Sequence, residues 1–200
     1  MATRHDLVIA ARAGDGGAFM DLVQLETPDA FRLSLAILRH HSDAEDALQE
    51  AFVRAWRQLP GLRDPERWPA WFRRIIVSSA IDTGRRKKAR RIVPLDYHEP
   101  PPMADSSAGL AARDEVTRIM GCLDANDRAL LALRFGHDLE LPDVAAALGI
   151  PLGTAKSRLH RALGRMRKEL ESVDESDESR GSPPGATRCR VQPTPTEPGL

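Results

Sequence analysis

The sequence is poor in cysteine, in aromatic residues and in long apolar stretches. Its two cysteines, Cys122 and Cys189, are too few and too far apart for a disulfide scaffold or a zinc finger. Its apolar runs are far shorter than the roughly 20 residues needed to cross a bilayer. Asp6 and Arg12 interrupt the apolar residues near the N-terminus, so we expect no signal peptide. These absences predict a reduced, soluble, cytoplasmic protein without membrane insertion.

Opposite charges balance over the whole chain but are segregated along it. Lysine and arginine total 29, as do aspartate and glutamate, so the net charge is zero. Basic residues cluster at 85–91 and again at 156–168, whereas acidic residues gather at 43–50 and 171–178. Two basic clusters on a neutral protein favour two separate contacts with a polyanion, and they leave the acidic segments for a different partner.

The distribution of apolar residues divides the chain into four parts. Helical periodicity runs through residues 1–92 and 111–171, and strand-like alternation is hard to find. Residues 93–110 are rich in proline, with serine and glycine, which predicts an extended linker. Residues 172–200 have almost no large apolar side chains and are expected to be disordered. The predicted fold class is all-α, with two small helical domains joined by a flexible proline-rich linker.

In the first domain, an acidic amphipathic helix is predicted to begin at a capping box formed by Ser42 and Glu45 and to end before Pro60. At 100° per residue, its apolar side chains fall in one arc of about 140° and its charged ones in an opposite arc of about 80°. The apolar arc consists of Leu48, Ala51, Phe52, Ala55, Trp56 and Leu59. We expect the opposite, acidic arc to be exposed, either as solvated surface or as a protein-docking face.

A further helix of the first domain is predicted to start with Asp64 as its N-cap and Pro65 as its first residue. This helix leads into the first basic cluster. Its expected buried stripe consists of Trp68, Phe72, Ile75, Ile76 and Ser79. Four helices in the first domain would make a plausible small bundle.

The second domain has the pattern of a helix-turn-helix unit. An amphipathic helix is predicted over Asp138–Ala147, a tight turn over Leu148–Pro151 and a longer basic helix over Leu152–Leu170. The inward stripe of the longer helix consists of Leu152, Ala155, Leu159, Ala162, Leu163, Met166 and Leu170. Its outward face holds arginine forks and short hydroxyl side chains, which are the groups that contact base edges and phosphates in a major groove.

No set of residues points to catalysis, a metal or a cofactor. Asp43, Asp46 and Glu50 could be acid–base or metal-binding carboxylates, but no histidine or further carboxylate completes a ligand set. No glycine-rich phosphate loop or nucleophile motif is visible. We therefore expect a protein that is not an enzyme. A nucleic-acid enzyme would need a catalytic constellation, and a plain helix-turn-helix regulator would leave the acidic face and the first basic cluster unexplained.

Taken in series, the two halves resemble a known family. Asp43-Ala-Glu-Asp-Ala-Leu-Gln-Glu-Ala-Phe52, then Trp56, Trp71-Phe-Arg-Arg-Ile75 and Asp82-Thr-Gly-Arg-Arg86, resemble region 2 of bacterial extracytoplasmic-function (ECF) sigma factors of the sigma-70 family. Gly149-Ile-Pro-Leu-Gly-Thr-Ala-Lys-Ser-Arg-Leu-His-Arg-Ala162 resembles region 4 of the same family. The resemblance spans residues 5–171, with the regions in the family's order.

The resemblance implies a sigma factor that binds core RNA polymerase and directs promoter recognition, promoter opening and transcription initiation, for a stress or envelope-signal regulon. In this family the acidic helix docks on the coiled-coil of the β′ subunit, with the β flap and promoter DNA as further partners and an anti-sigma protein as the usual control. The residues implied for polymerase binding are Asp43, Asp46, Gln49 and Glu50.

The resemblance also implies two DNA-binding sets. The set for the −10 element is Arg73, Arg74, Ser78, Asp82, Arg85 and Arg86. The set for the −35 element is Thr154, Lys156, Ser157, Arg158, Arg161 and Arg165. The family commonly has asparagine where Ser78 stands. The corresponding domains are 1–92, a region-2-like domain, and 111–171, a region-4-like domain.

Overall fold

The computed structural model describes residues 2–90 and 119–180, and every regular element in these residues is helical. The first part contains α1 (Arg4–Arg12), α2 (Gly16–Leu38), α3 (His41–Gln58) and α4 (Trp68–Arg90), with short 3₁₀ turns at Leu59–Gly61 and Pro65–Arg67 before α4. The second part contains a helical end at 119–121, α5 (Ala125–Leu131), a π-helical turn (Ala132–Gly136), α6 (Leu141–Leu148) and α7 (Leu152–Arg180). The predicted linker, residues 93–110, lies outside the described residues.

The N-terminal caps of the first domain were only partly predicted. Asp64 is a cap as expected, because its side chain accepts a hydrogen bond from the Glu66 backbone N–H at 3.1 Å. The capping box predicted for Ser42 and Glu45 is wrong, since α3 begins at His41 and its N-cap is His40, which makes no side-chain cap bond. Ser42 lies in the first turn instead, with its Oγ 3.1 Å from Nδ1 of His40.

Four helices of the first domain enclose a core centred on Trp68. The Trp68 ring stacks on Phe72 with the centroids 5.0 Å apart, and its Nε1 donates to Glu26 at 3.1 Å. The stripe predicted for α4 is buried throughout. Trp56 is an exception to the arc predicted for α3, because it is 39% exposed at the edge of the bundle, where it contacts Phe19.

The helix-turn-helix unit is present, with a later start than predicted. Asp138 has a positive φ of 49°, and α6 begins at Leu141 rather than at Asp138. The physical reason is Pro142, because a proline is tolerated only in the first turn of a helix, where its missing N–H has no partner to lose. Gly149 ends α6 with a φ of 65°, a backbone conformation that glycine adopts without steric cost. The turn between α6 and α7 therefore lies where the sequence predicts it.

Helix α7 buries less of its apolar stripe than expected and is longer. Ala155 and Ala162 are buried, whereas Leu152, Leu163 and Leu170 are exposed. The backbone remains helical to Arg180, although the sequence analysis predicts disorder from residue 172. No glycine or proline lies between Gly164 and Gly181, so nothing local stops the helix at residue 172. Residues 181–200 of the predicted tail lie outside the described residues.

The second domain packs directly against the first. Helix α5 contacts α2, α6 contacts α4, and buried side chains of both parts belong to one continuous apolar cluster. Arg128 of α5 donates from Nε to the carbonyl oxygen of Ile37 near the end of α2 at 2.6 Å. A Cβ atom placed on Gly84 of α4 would lie 3.8 Å from Cβ of Ala125. The sequence predicts two tethered domains and gives no sign of this contact.

His137 lies at this boundary and predicts a pH dependence of stability. Burial and the charge of Arg73 lower the pKa of His137 below its ordinary value of 6.5, against the opposing charge of Asp29. At a pH between the two pKa values, His137 is therefore neutral in the folded chain and protonated in the unfolded chain. We expect the free energy of unfolding to be unaffected by His137 above about pH 6.5 and to fall as the pH is lowered from there through its depressed pKa.

Urea unfolding at several pH values between about 5 and 8 measures this effect, with His137→Asn as the control. We expect the free energy of unfolding to fall less in the variant than in the wild type over that range. An equal fall in both proteins would assign the pH dependence to other groups.

Candidate functional site

The acidic residues of α3 do not form a uniformly exposed face. Asp46 and Gln49 are exposed, with 64% of the Asp46 side chain accessible. Asp43 is only 7% exposed, and Glu50 is half-buried. The expectation that Asp43, Asp46 and Glu50 share one exposed arc is therefore wrong for Asp43. The physical reason is α4, which packs alongside α3 and covers this edge with cationic side chains.

Four ion pairs of the described residues join α3 to the C-terminal half of α4. Lys87 pairs with Asp43 and lies 3.7 Å from Asp46, Arg86 pairs with Glu50, and Arg54 Nη1 lies 3.3 Å from an oxygen of Asp82. Burial raises the pKa of Glu50, but hydrogen bonds from Arg86 and Arg54 outweigh it and hold that pKa below its ordinary value. The Arg86–Glu50 pair thus joins a residue predicted to bind the −10 element to one predicted to bind polymerase.

A cleft of about 270 Å³ opens between α3 and α4, beside these pairs. It brings together two of the predicted −10 residues, Arg74 and Ser78. Its other lining residues are Arg54, Gln58, Trp71 and Ile75, which were not among the predicted site residues. Trp71 is half-buried and offers an aromatic surface next to the arginines. Helical spacing alone could have placed Trp71 beside Arg74, but the approach of α3 depends on the packing of the bundle.

The six predicted −10 residues do not share one surface. Arg74, Ser78, Asp82 and Arg85 follow one another along one side of α4 at intervals of three or four residues, and Arg85 lies 3.6 Å from Asp82. Arg73 instead lines a separate cleft of about 200 Å³ on the side that faces the second domain. That second cleft also contains His137, Arg4 and Asp29.

The predicted −35 residues lie on α7, and most of them are open to solvent. Lys156, Ser157 and Arg161 are exposed, while Thr154 and Arg158 are half-buried. Ser157 Oγ donates to the carbonyl oxygen of Thr154 at 3.0 Å. Arg161 Nε donates to the carbonyl oxygen of Ser157 at 3.3 Å, a contact that leaves the rest of its guanidinium available.

Arg165 differs from the other members of this set because it pairs with a buried carboxylate. Its Nη2 donates to Asp127 of α5, whose side chain is 5% exposed. A carboxylate in such a place needs a cationic partner, since burying an uncompensated charge is costly. The structure thus gives Arg165 a stabilising contact inside the second domain.

Replacing Arg165 with methionine is expected to lower the free energy of unfolding by about 3 kcal/mol, because it leaves Asp127 buried without its partner. Arg161→Met is the matched control, since within the described residues Arg161 contacts only the main chain, and we expect a change of roughly 0.5 kcal/mol or less. Denaturant unfolding of both variants measures the difference. Equal stability of the two variants would contradict the stabilising role of Arg165.

Two further features of the described residues bear on the site. No group of three histidine, cysteine, aspartate or glutamate side chains within residues 2–90 and 119–180 is arranged to hold a metal ion. Over the same ranges, no helix combines the length and the hydropathy of a membrane-spanning segment.

Comparison with known families gives two matches, one to each of the two helical domains. The family model described as "Sigma-70 region 2" matches residues 22–91, which include α3, α4 and the cleft between them. The family model described as "Sigma-70, region 4" matches residues 119–168, which include the helix-turn-helix unit.

Curated relatives agree with these matches. The chain is 32% identical over 156 residues to the RNA polymerase sigma-E factor of Streptomyces avermitilis, covering 78% of this chain and 87% of that protein. It is 33% identical over 165 residues to the ECF RNA polymerase sigma factor SigM of Mycobacterium tuberculosis, covering 82% of this chain and 83% of that protein.

Two solved structures share the fold. CnrH, in complex with the cytosolic domain of CnrY, superposes with a TM-score of 0.61 at 24% identity, over 84% of this chain and 97% of that one. RpoE of Bartonella quintana, in complex with the anti-sigma factor NepR, superposes with a TM-score of 0.59 at 22% identity, over 76% of this chain and 96% of that one.

A helical domain matching region 2, followed by a helix-turn-helix domain matching region 4, defines a transcription initiation factor rather than an enzyme. The chain belongs to the sigma-70 family of RNA polymerase sigma factors, in its extracytoplasmic-function group. It is thus a factor that acts with RNA polymerase on promoter DNA to start transcription. The all-α fold class, the family and the general function predicted from the sequence are confirmed.

Proposed function

We propose that α3 carries the contact with core polymerase, and that Asp46 and Gln49 lie at its centre. Both side chains are exposed on the outer side of α3. Glu50 and Asp43 lie next to them and add negative potential, although Lys87 and Arg86 partly neutralise it. An acidic patch of this kind complements a basic surface, for which we propose the coiled-coil of the β′ subunit. The β flap is the second proposed polymerase contact, on the second domain.

The cleft between α3 and α4 is the proposed place for an unpaired base of the −10 element. Its volume of about 270 Å³ is enough for one nucleobase, and Trp71 and Arg74 supply an aromatic face and a cation. Stacking of a base on an aromatic side chain contributes about 1–3 kcal/mol, and arginine adds attraction for the phosphates. Ser78, Asp82 and Arg85 continue this surface along α4, with Arg86 next to them. Arg73 faces the second cleft and is proposed as a separate contact. Base stacking in this cleft would hold one strand of an opened promoter.

The exposed face of α7 is the proposed reader of the −35 element. Thr154, Lys156, Ser157, Arg158 and Arg161 lie in the N-terminal half of α7, where a recognition helix contacts base edges. Arg165 lies further along α7. Its pairing with Asp127 favours a role in stabilising the second domain, in addition to any contact with phosphate.

Replacing Arg158 or Arg161 with alanine is expected to weaken promoter binding by about 1–3 kcal/mol if that arginine makes a bidentate base contact. The loss should be confined to promoters with the preferred base at one −35 position. Selection from a library randomised over that element measures it, with Arg167→Ala, a neighbour on α7 outside the proposed set, as the control. Unchanged selectivity in both variants would move the reading face elsewhere.

The proposed partners also suggest where the protein acts and how it is controlled. We propose that the protein acts in the cytoplasm, where RNA polymerase and the chromosome are found, and that it serves a stress or envelope-signal regulon. An anti-sigma protein is a further proposed partner, supported by the solved complexes of the structurally similar CnrH and RpoE.

The proposed domain limits are 1–92 and 111–171, with 93–110 as the linker and 172–200 as a tail outside both.

The observation that supports this assignment best is the serial order of the two matched regions on separate helical units. Co-purification of the full chain with core polymerase, followed by footprinting of the complex on promoter DNA, tests it. Protection of both promoter elements is the expected result, and protection of a single duplex site without polymerase would contradict it.

A further inference from the structure

The second cleft, about 200 Å³ in volume, combines an apolar wall with charged side chains. Residues of α1, α2 and α4 line it, together with His137, which follows the π-helical turn. The apolar wall consists of four side chains from α2 and α4, each at most 4% exposed: Ala30, Leu33, Phe72 and Ile76. Such a wall favours contact with an apolar group over contact with water, and the charged side chains decide which polar group that molecule must carry.

Arg73 and His137 bring unused hydrogen-bond donors to this cleft. Both are half-buried, and within residues 2–90 and 119–180 neither side chain makes a hydrogen bond or an ion pair. Burial and the charge of Arg73 lower the pKa of His137, so its imidazole is neutral near pH 7 and keeps an N–H donor. Half-buried donors without a partner favour a ligand whose acceptor atoms reach both side chains.

The two carboxylates at this cleft already have cationic partners. Glu26 accepts a hydrogen bond from Nε of Arg4 at 2.8 Å, and Asp29 pairs with Arg32. The positive charge that remains without a partner is therefore that of Arg73, and it attracts an anion. Because both carboxylates stay close to the same space, an anion with a single negative charge is favoured over a dianion such as a phosphate monoester.

We propose that the second cleft is a binding site for a small monocarboxylate with a compact apolar body. The carboxylate accepts hydrogen bonds from Arg73, whose planar guanidinium can donate two in parallel, and from His137. The apolar body lies against Phe72 and its neighbours in the wall. A volume of about 200 Å³ is below the roughly 300–1,000 Å³ of sites for drug-sized ligands, so the body is about the size of a single ring.

Titration of the ¹⁵N-labelled full chain with benzoate, followed by NMR, tests the proposal. Benzyl alcohol keeps the ring without the charge, acetate keeps the charge without the ring, and phenyl phosphate carries a second negative charge. We expect benzoate to saturate one site per chain, to move the resonances of the residues around the cleft, and to bind at least tenfold more tightly than each of the other three compounds.

Replacing Arg73 with glutamine is expected to weaken benzoate binding at least tenfold, because it removes the charge and the paired donors. His137→Ala removes the other donor and should weaken binding at least threefold. Arg63→Gln is the matched control, since Arg63 is an exposed arginine before α4 that does not line the cleft. We expect this control to bind benzoate like the wild type.

Each contrary outcome overturns a stated part of the proposal. Equal affinity of Arg73→Gln and Arg63→Gln would overturn the site, as would shifts confined to the basic clusters at 85–91 and 156–168. Acetate or benzyl alcohol binding as tightly as benzoate would overturn the need for both a charge and an apolar body. Tighter binding of phenyl phosphate would overturn the preference for a monoanion.

The outcome of this titration is independent of the promoter assignments, because it uses neither polymerase nor DNA. A misfolded Arg73→Gln variant would be recognised from its own NMR spectrum, and His137→Ala then decides the matter. Unchanged benzoate affinity in a folded His137→Ala chain would contradict the shared carboxylate contact.

Discussion

Replacing Asp46 and Gln49 together with lysine is expected to abolish stable association with core polymerase while leaving the fold intact. The two side chains are exposed on α3, and Nζ of Lys87 lies 3.7 Å from a carboxylate oxygen of Asp46. Exposed charges of this kind contribute at most about 1 kcal/mol to stability. Two lysines facing a basic docking surface cost far more, because like charges oppose encounter and remain mismatched in the interface. Gel filtration with core polymerase measures the loss, and circular dichroism checks the fold.

The matched control is Asp21→Lys with Gln24→Lys on α2. These two residues are also exposed, are also three positions apart, and undergo the same change of charge. We expect this control to bind core polymerase like the wild type. Equal binding by both double variants would show that the outer side of α3 is only solvated surface. Asp43 and Glu50 are unsuitable for this test, because their pairs with Lys87 and Arg86 link α3 to α4 and their reversal would disturb the fold.

Replacing Arg74 with alanine is expected to reduce promoter opening by about 10- to 100-fold without weakening the contact with core polymerase. Arg74 is exposed at the rim of the cleft that also contains Trp71 and Ser78. Its loss removes a cation from the proposed path of the unpaired strand, and a hydrogen bond made by a charged group contributes about 1.5–3 kcal/mol. Permanganate reactivity of unpaired thymines at the −10 element measures opening directly.

Arg57→Ala is the control for this prediction, because Arg57 is an exposed arginine of α3 that does not line the cleft. We expect thymine reactivity in the control to match that of the wild type. If Arg74→Ala opened promoters as well as Arg57→Ala, the single strand would have to lie elsewhere on α4.

Most features decided by short stretches of sequence were predictable, although the capping box at Ser42 was not. The cap at Asp64 and the turn at Gly149 depend on residues within a few positions of each other, and both are present. The buried stripe of α4 follows from helical periodicity alone. The later start of α6 was also within reach, because Pro142 restricts where that helix can begin.

Features decided by distant residues were not predictable from local patterns. Asp43 is buried because Lys87, 44 positions away, pairs with it, and Arg165 is engaged because Asp127 lies buried on another helix. A helical wheel shows which side chains share a face, but it does not show which neighbouring helix covers that face. The cleft between α3 and α4 and the contact between the domains depend on the same packing. The assignment of residues to promoter elements therefore needed both the family resemblance and the structure.

Transcription with purified core polymerase tests the central assignment most directly. The full chain is combined with core polymerase and a library of promoter fragments, and the run-off transcripts are sequenced at their 5′ ends. We predict transcripts that start at a fixed distance downstream of a shared pair of elements, that require the chain, and that disappear with Asp46→Lys and Gln49→Lys. Absence of initiation from every fragment, together with tight duplex binding by the chain without polymerase, would contradict the assignment and indicate a plain helix-turn-helix regulator.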